Sequence, residues 1–215
     1  LALKILFNKN EKRTFVDVGG NIGLSTASFR QMGFKKNEIL IFEPDKSLVN
    51  RYLKKLKYYY NNIKIYPYGL SNKNEFKTLY QANYKNLFIH VNNSFSKEYI
   101  LKKIKNNYPD KFLFFKYKEK KFQLKKFDNI KYKKEICFIK IDVEGLDHLV
   151  INGMKRFLKK NSPIFLIEFN QSNFSKIWYR LNKRYNCYSY DVDENCFITF
   201  SNLKIKQLIN GHIFD

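Results

Sequence analysis

Carboxylates that directly follow apolar runs are the residues of this chain best suited to chemistry. Asp142 and Glu144 come after the run Ile136–Ile141, within the sequence IKIDVEG. A carboxylate at such a position can take a proton from a bound reactant, so either residue is a candidate general base. His148 lies one helical turn beyond Glu144 and is a candidate helper. The chemistry that these residue types offer is proton transfer.

The same region supports two other interpretations. In the first, Asp142, Glu168 and Asn170 coordinate Mg²⁺, which prefers oxygen ligands and lowers the pKa of a bound hydroxyl. In the second, Glu144 and Asp147 are structural and favour the N-terminus of the following helix through its dipole and free amides. The residues alone leave these alternatives open.

A glycine-rich segment follows the first run, the β-branched and aromatic Thr14–Val18. A structural turn also uses glycine, but the segment together with Glu43 indicates a nucleotide. Missing side chains let the backbone approach a ligand and leave N–H groups free at the start of a helix. Glu43 ends the second run, 20 residues after Gly23, the spacing expected of a carboxylate that accepts hydrogen bonds from ribose hydroxyls. Ser71 and Asn72 follow the third run, where an adenine edge would lie. The candidate residues of the first segment are Asp17, Gly19, Gly20, Asn21 and Gly23.

The glycine pattern also favours one kind of nucleotide over another. It reads D-x-G-x-x-x-G and differs from the G-x-G-x-x-G expected for a pyrophosphate. An acidic residue ahead of the glycines suits a ligand with a positively charged amino-acid group. S-adenosylmethionine has such a group and NAD does not, so we expect S-adenosylmethionine.

The elements that must position these residues alternate between strand and helix patterns. Apolar runs separated by helical stretches predict right-handed βαβ units and an α/β, doubly wound, mostly parallel sheet with a ligand crevice at the carboxyl ends of its strands. The apolar spacing from Leu146 to Leu158 predicts one amphipathic helix. Two runs within Tyr188–Phe200 predict an antiparallel hairpin whose last strand lies at or near the edge of that sheet.

One segment, at about 75–135, lacks a sustained period and mixes lysines with aromatic residues. Strands are expected at Phe76–Tyr80, Leu87–Val91 and Phe112–Leu124, with a helix at Ser96–Lys105. We therefore expect a single domain, 1–215, that carries an irregular basic and aromatic insertion.

Charge is the most unusual feature of the composition, since 41 Lys and Arg against 19 Asp and Glu give a net charge of +22. Such a field favours acidic partners, including nucleic acid. Only six of the basic residues are arginine, however, and nucleic-acid surfaces favour arginine. Compositional drift is therefore the preferred explanation, and a basic nucleic-acid-binding or RNA-methylating protein on the same fold is the alternative. The three cysteines form no metal-ligand pattern and fit a cytoplasmic protein, and no run is long and apolar enough for a transmembrane segment.

The order of these motifs resembles the FkbM family of methyltransferases. The motif IKIDVEG followed by an apolar helix is the most diagnostic part of the resemblance. Nearly the whole chain is covered by the matching blocks, which are VDVGGNIGLS at 16–25, Phe42–Pro44, Gly69–Asn72, Phe127–Asp128, FIKIDVEG at 138–145, Asn152–Gly153 and Ile167–Glu168.

The resemblance implies a cytoplasmic enzyme that moves the methyl group of S-adenosylmethionine to a hydroxyl of a sugar, glycan or small natural product. It adds Pro44 and Asp142 to the residues expected to contact this cofactor. The chain also departs from the family pattern. Gly20 stands where alanine is usual, Asp147 stands where glutamate is usual, and Asn93-Ser94-Phe95 only faintly echoes the family's Ser-Ser-Leu segment.

Overall fold

The strands and helices alternate along the chain as the apolar runs predict. The structure, a computed structural model, describes Phe7 and residues 12–85, 87–88, 94–168, 171–191 and 196–199. Its strands are β1 (Thr14–Val18), β2 (Ile39–Phe42), β3 (Ile63–Tyr66), β4 (Gly69–Ser71), β5 (Glu75–Tyr84), β6 (Leu87–Phe88), β7 (Phe115–Lys126), β8 (Ile136–Ile141), β9 (Ile164–Ile167), β10 (Tyr188–Asp191) and β11 (Cys196–Thr199).

The helices are short, and those in the described ranges are neither long nor apolar enough to cross a membrane. One of them contains a π-helical turn in its middle, Val49–Leu53. The helices are α1 (Leu24–Gln31), α2 (Lys46–Leu48, the π-helical turn and Lys54–Tyr59), α3 (Lys97–Asn107), α4 (Asp147–Asn152), α5 (Lys155–Lys160) and α6 (Gln171–Leu181).

The main sheet has five parallel strands in the order β3-β2-β1-β8-β9. Val16 of the central strand is in register with Leu40 on one side and Ile139 on the other. The strand order reverses between β1 and β8, which places a ligand crevice beyond their carboxyl ends. The prediction of a doubly wound α/β fold is confirmed.

Both faces of the central strands β1, β2 and β8 are covered, which is why these strands are mostly apolar in sequence. All five residues of β1 are buried. Phe15 packs in one core with Phe29 of α1 and Leu53 of α2. Val16, which points to the opposite face, packs with Val150 of α4 and other helical residues.

The segment that the sequence leaves ambiguous forms a second sheet, in the order β4-β7-β5-β6. Strands β5 and β7 pair antiparallel from Glu75 opposite Leu124 to Tyr84 opposite Phe115. Helix α3 packs on this sheet through Ile100 against Ala82. The predicted helix and two of the predicted strands are confirmed with shifted bounds, and β6 lies within the third, whose later part is outside the described residues. A 3₁₀ helix at Pro109–Phe114 occupies the expected beginning of β7.

The C-terminal hairpin is confirmed, but its expected place in the main sheet is wrong. Strands β10 and β11 are antiparallel, with Tyr188 opposite Thr199. They form a separate two-stranded sheet, and the described part of the main sheet ends at β9. The sequence alternation predicts the local pairing of the two strands, in which all four residues of each strand have partners in the other, but it does not determine which sheet the hairpin joins.

The single helix predicted from Leu146 to Leu158 is also wrong, because the chain forms α4 and α5 with a break at Gly153. A Cβ atom at Gly153 would lie 2.2 Å from the backbone oxygen of Ser71, so the helix meets β4 there. Asp128 then starts α5: its carboxylate oxygens accept from the backbone N–H groups of Arg156 and Phe157, each at 2.9 Å. A residue distant in sequence thus caps α5, and the segment forms two helices although its apolar spacing is continuous.

Candidate active site

Glu43 lies at the carboxyl end of β2, where only 6% of its surface is exposed. Its two carboxylate oxygens accept from the backbone N–H groups of Asn21 and Asp45, each at 2.8 Å. Burial raises the pKa of Glu43 to about 7, although both hydrogen bonds oppose this shift. Each carboxylate oxygen keeps a further lone pair, so the group can still accept hydrogen bonds from hydroxyls of a ligand.

The glycine loop after β1 is shaped by close packing. Gly19 has a φ of +83°, and a Cβ atom there would lie 1.8 Å from the backbone oxygen of Asp142. The loops after β1 and β8 therefore touch at Gly19. A Cβ atom at Gly20 would lie 2.3 Å from Ile41, and one at Gly23 would lie 2.3 Å from Leu56. These last two glycines let the loop pack on β2 and α2.

A partly buried lysine of β8 lies between the aspartate of β1 and the aspartate that follows β8. The ammonium group of Lys140 lies 3.6 Å from Asp17 Oδ1 and 3.1 Å from Asp142 Oδ2. It also donates to the backbone oxygen of Gly19, at 3.2 Å. Burial lowers the pKa of Lys140, but the two carboxylates outweigh this and raise it. Burial raises the pKa of Asp17, which Lys140 and a hydrogen bond from Thr26 oppose.

The loop Asp142–Gly145 is held in an unusual backbone conformation. Glu144 has a φ of +54° and Gly145 a φ of +95°. A non-glycine residue in this region costs roughly 1–3 kcal/mol and is most often found at functional sites. Asp147, which is buried, accepts from the N–H of Val143 at 3.2 Å and so fixes the loop. Asn173 of α6 donates to the backbone oxygen of Gly145 at 2.7 Å.

Acidic side chains crowd around this loop. Burial raises the pKa of Glu144 to about 8, with Lys103 of α3 opposing the shift and Asp142 adding to it. Partial burial and the charge of Asp142 raise the pKa of Glu168 to about 7, and a hydrogen bond to Asp142 contributes. Carboxylates this close resist simultaneous ionisation, so the cluster can hold a proton near neutral pH.

A cavity lies beyond the carboxyl ends of β1, β2 and β8, under the second sheet. The sequence-predicted residues that line it are Gly19, Asn21, Glu43, Pro44, Asp142 and Glu144. Asp17 is fully buried and does not line the cavity, whereas Asp142 and Asp45 do. The fold therefore brings together residues that are more than 100 positions apart in the chain.

Other predicted site residues lie outside the lining of this cavity. Ser71 is buried and donates to Asn72 and Glu75, both at 3.3 Å, while Gly69 and Leu70 line the cavity instead. His148 is half-buried, and burial lowers its pKa. Its Nδ1 atom is buried without a hydrogen-bond partner among the described residues. Ligand contacts by these residues, as by Gly20 and Gly23, stay predictions.

The predicted metal site is described in part. Asp142 and Glu168 are neighbours, but Asn170 lies outside the described residues, as does Asn93 of the faint Ser-Ser-Leu match. In the described ranges no group of three His, Cys, Asp or Glu side chains is arranged to hold a metal ion.

Sequence reasoning missed two important residues. The sequence did indicate a special role for Lys140, because it is the one charged residue in the otherwise apolar run Ile136–Ile141. No sequence pattern indicated such a role for Gln81 of β5, because its contacts depend on tertiary structure. Gln81 is buried, lines the cavity and donates to Asp45.

A doubly wound sheet with a carboxylate after β2 and a glycine loop after β1 is an arrangement common among α/β folds that bind nucleotides. The chain matches the model of the methyltransferase FkbM domain over residues 17–204. It belongs to the FkbM methyltransferase family, which confirms the resemblance seen in the sequence.

A solved structure shares the fold. It is a methyltransferase FkbM from Methylobacillus flagellatus KT, with 16% sequence identity and a TM-score of 0.52. The match covers 80% of this chain and 37% of that chain, so the present chain spans little more than a third of that protein. No curated protein matches the chain.

Proposed function

We propose that this protein transfers the methyl group of S-adenosylmethionine to a hydroxyl oxygen of a sugar, glycan or small natural product. The observation that carries the proposal is the position of Glu43, whose carboxylate is fixed by two backbone N–H groups in the same cavity as Asp142 and Glu144. A group that binds a ribose and groups that handle a proton thus share one site.

The residues on the β2 side of the cavity fit the nucleoside. Glu43 would accept hydrogen bonds from the ribose hydroxyls, and the hydrogen bonds to Asn21 and Asp45 hold it in the orientation that this requires. Pro44 and Leu70 supply apolar walls against which a base can pack. When bound, S-adenosylmethionine supplies the electrophilic methyl group.

The residues on the β8 side fit the reacting end. Asp142 and Glu144 line the cavity next to Gly19, where the crevice between β1 and β8 opens. Either carboxylate would orient the acceptor hydroxyl and take its proton as the oxygen attacks. Lys140 fixes Asp142 by an ion pair of 3.1 Å, so Asp142 has a defined position and Glu144 is the less constrained of the two.

Magnesium is the alternative means of activating the hydroxyl. Asp142 and Glu168 are neighbours and offer the oxygen ligands that Mg²⁺ prefers. Bound there, the metal would lower the pKa of the acceptor hydroxyl. Sensitivity of turnover to EDTA distinguishes this arrangement from proton transfer by carboxylates alone.

Binding and transfer are tested separately. Isothermal titration calorimetry with S-adenosylhomocysteine measures the nucleoside site, and Glu43→Ala should weaken binding by about 1.5–3 kcal/mol, the range for a charged hydrogen bond. Glu75→Ala is the matched control, because Glu75 lies outside the cavity lining. Transfer of a radiolabelled methyl group from S-adenosylmethionine to a panel of sugars and hydroxylated natural products tests the reaction. A protein that does not bind S-adenosylhomocysteine would overturn the proposal.

A further inference from the structure

Gln81 presents an unsatisfied hydrogen-bond acceptor at the cavity. The residue lies on β5 of the second sheet, is 3% exposed and lines the cavity below that sheet. Its Nε2 donates to Asp45 Oδ2 at 3.2 Å. Its Oε1 is buried and has no hydrogen-bond partner among the described residues. Buried carbonyl oxygens nearly always accept a hydrogen bond, so we expect a ligand to supply a donor to this atom.

The orientation of the Gln81 amide is fixed by its neighbour. Asp45 can only accept hydrogen bonds when ionised, so the amide nitrogen must face it and the amide oxygen must face away. Lys120 lies 3.1 Å from the same Asp45 oxygen and stabilises its charge. The N–H and hydroxyl of Ser47 hold the other Asp45 oxygen, at 2.8 Å and 2.6 Å. The Gln81 oxygen is therefore held in place in advance of any ligand.

The strand order indicates which part of a ligand Gln81 meets. Along the crevice the order β8, β1, β2, β3 runs from Asp142 through Gly19 to Glu43. With the reacting methyl group near Asp142 and the ribose at Glu43, the base continues toward β3. Gln81 is bonded to Asp45, which follows Glu43 beyond the end of β2, and Gly69 and Leu70, which follow β3, line the same cavity. The other leucines of the lining are Leu48, Leu79, Leu124 and Leu146.

We infer that the Gln81 amide oxygen accepts a hydrogen bond from the 6-amino group of adenine and selects adenosine over nucleosides with a 6-oxo group. A 6-oxo base would place an oxygen against the Gln81 oxygen, and both atoms would lack a donor. Leucine side chains alone cannot make this distinction, because they contact both bases equally well. This inference rests on the proposed use of S-adenosylmethionine.

The test compares two ligands that differ only at that position. S-Adenosylhomocysteine carries the amino group, and S-inosylhomocysteine carries an oxygen in its place. The wild-type protein should bind the first roughly tenfold or more tightly than the second, as measured by calorimetry. Gln81→Met keeps the approximate size and shape of the side chain. It should remove most of that preference by weakening the binding of S-adenosylhomocysteine.

The controls separate this inference from the proposed function. Gln123→Met replaces an exposed glutamine on the adjacent strand β7 and should keep the wild-type preference. Circular dichroism and melting temperature confirm that both variants fold. If the wild-type protein binds neither ligand, the proposed function fails and this inference fails with it. If it binds both ligands equally, or if Gln81→Met keeps the preference, only the role of Gln81 is overturned.

Discussion

The ammonium group of Lys140 lies 3.1 Å from a carboxylate oxygen of Asp142, and the same group reaches the fully buried Asp17. Lys140 therefore links the core of β1 to the wall of the cavity. Thr26 donates one hydrogen bond to Asp17, but Lys140 supplies the opposite charge, so we expect the ion pair to stabilise the fold as well as to position Asp142.

Lys140→Met should lower the free energy of unfolding by about 3–5 kcal/mol, because it leaves a buried carboxylate unpaired. Urea denaturation measures this. Lys73→Met is the control, since Lys73 pairs with Glu75 at the surface and its loss should cost at most about 1 kcal/mol. Adding Asp17→Asn to Lys140→Met should restore part of the stability. Equal losses in the two lysine variants would contradict this role for Lys140.

The raised pKa of Glu43 predicts a pH-dependent affinity. The pKa lies at about 7 in the ligand-free fold and has an ordinary value of 4.5, so ionised Glu43 is disfavoured until a ligand donates to it. The stability that this group contributes is thus present below about pH 4.5 and lost as the pH rises through 7. The affinity for a ribose should instead increase as the pH rises through 7, because ionised Glu43 is the better acceptor.

Binding of S-adenosylhomocysteine should therefore tighten about tenfold between pH 6 and pH 8, as Glu43 loses its proton. Calorimetry across this range measures the effect. Glu43→Gln should bind weakly and with little dependence on pH. A wild-type affinity that stays constant would contradict this prediction, and a Glu43→Gln variant that keeps the wild-type pH profile would assign the titration to another group.

Asp142→Asn and Glu144→Gln should reduce turnover far more than they reduce cofactor affinity. Loss of a catalytic base lowers the rate by about 10²–10⁴-fold. A structural role for Glu144 would instead cost at most about 1 kcal/mol of stability and leave the rate nearly unchanged. Turnover on an acceptor found in the methyl-transfer panel, with and without EDTA, is measured beside the melting temperatures. Activity that vanishes in EDTA and returns with Mg²⁺ would replace the base with a metal.

Asp128→Ala should lower the free energy of unfolding by about 0.5–2 kcal/mol, because two backbone N–H groups at the start of α5 lose their acceptor. Urea denaturation measures the loss. Asp128→Asn keeps a side-chain acceptor and should cost less. Affinity for S-adenosylhomocysteine should not change in either variant, since Asp128 is not part of the cavity lining. A loss of affinity would show that α5 influences the site.

Gly20→Ala should destabilise the chain by about 1–3 kcal/mol even though alanine is usual at this position in the family, because the new methyl group would lie 2.3 Å from Ile41 Cγ2. Ile41→Leu removes that branch while keeping the volume. The double variant should therefore lose less stability than the sum of the single variants, which a double-mutant cycle measures. Additive losses of stability would mean that the structure avoids the clash between the Gly20→Ala methyl group and Ile41 by another adjustment.

The sequence by itself determined the main sheet and the cofactor side of the site. Strands buried on both faces are mostly apolar, so the runs ending at Val18, Phe42 and Ile141 predict β1, β2 and β8 directly. Glu43 and the glycine loop follow those runs immediately. Strand geometry then places them at one edge of the sheet without further information.

Tertiary structure decided the features that depend on distant partners. Gln81 meets Asp45 from 36 residues away, and Asp128 caps α5 from 29 residues before Phe157. No local sequence pattern indicates either contact. The apolar spacing therefore predicted one helix, whereas Asp128 and Gly153 divide the segment into two. The separate C-terminal hairpin has the same explanation: alternation predicts that two strands pair, whereas the sheet that they join depends on which backbone edges meet in the folded chain.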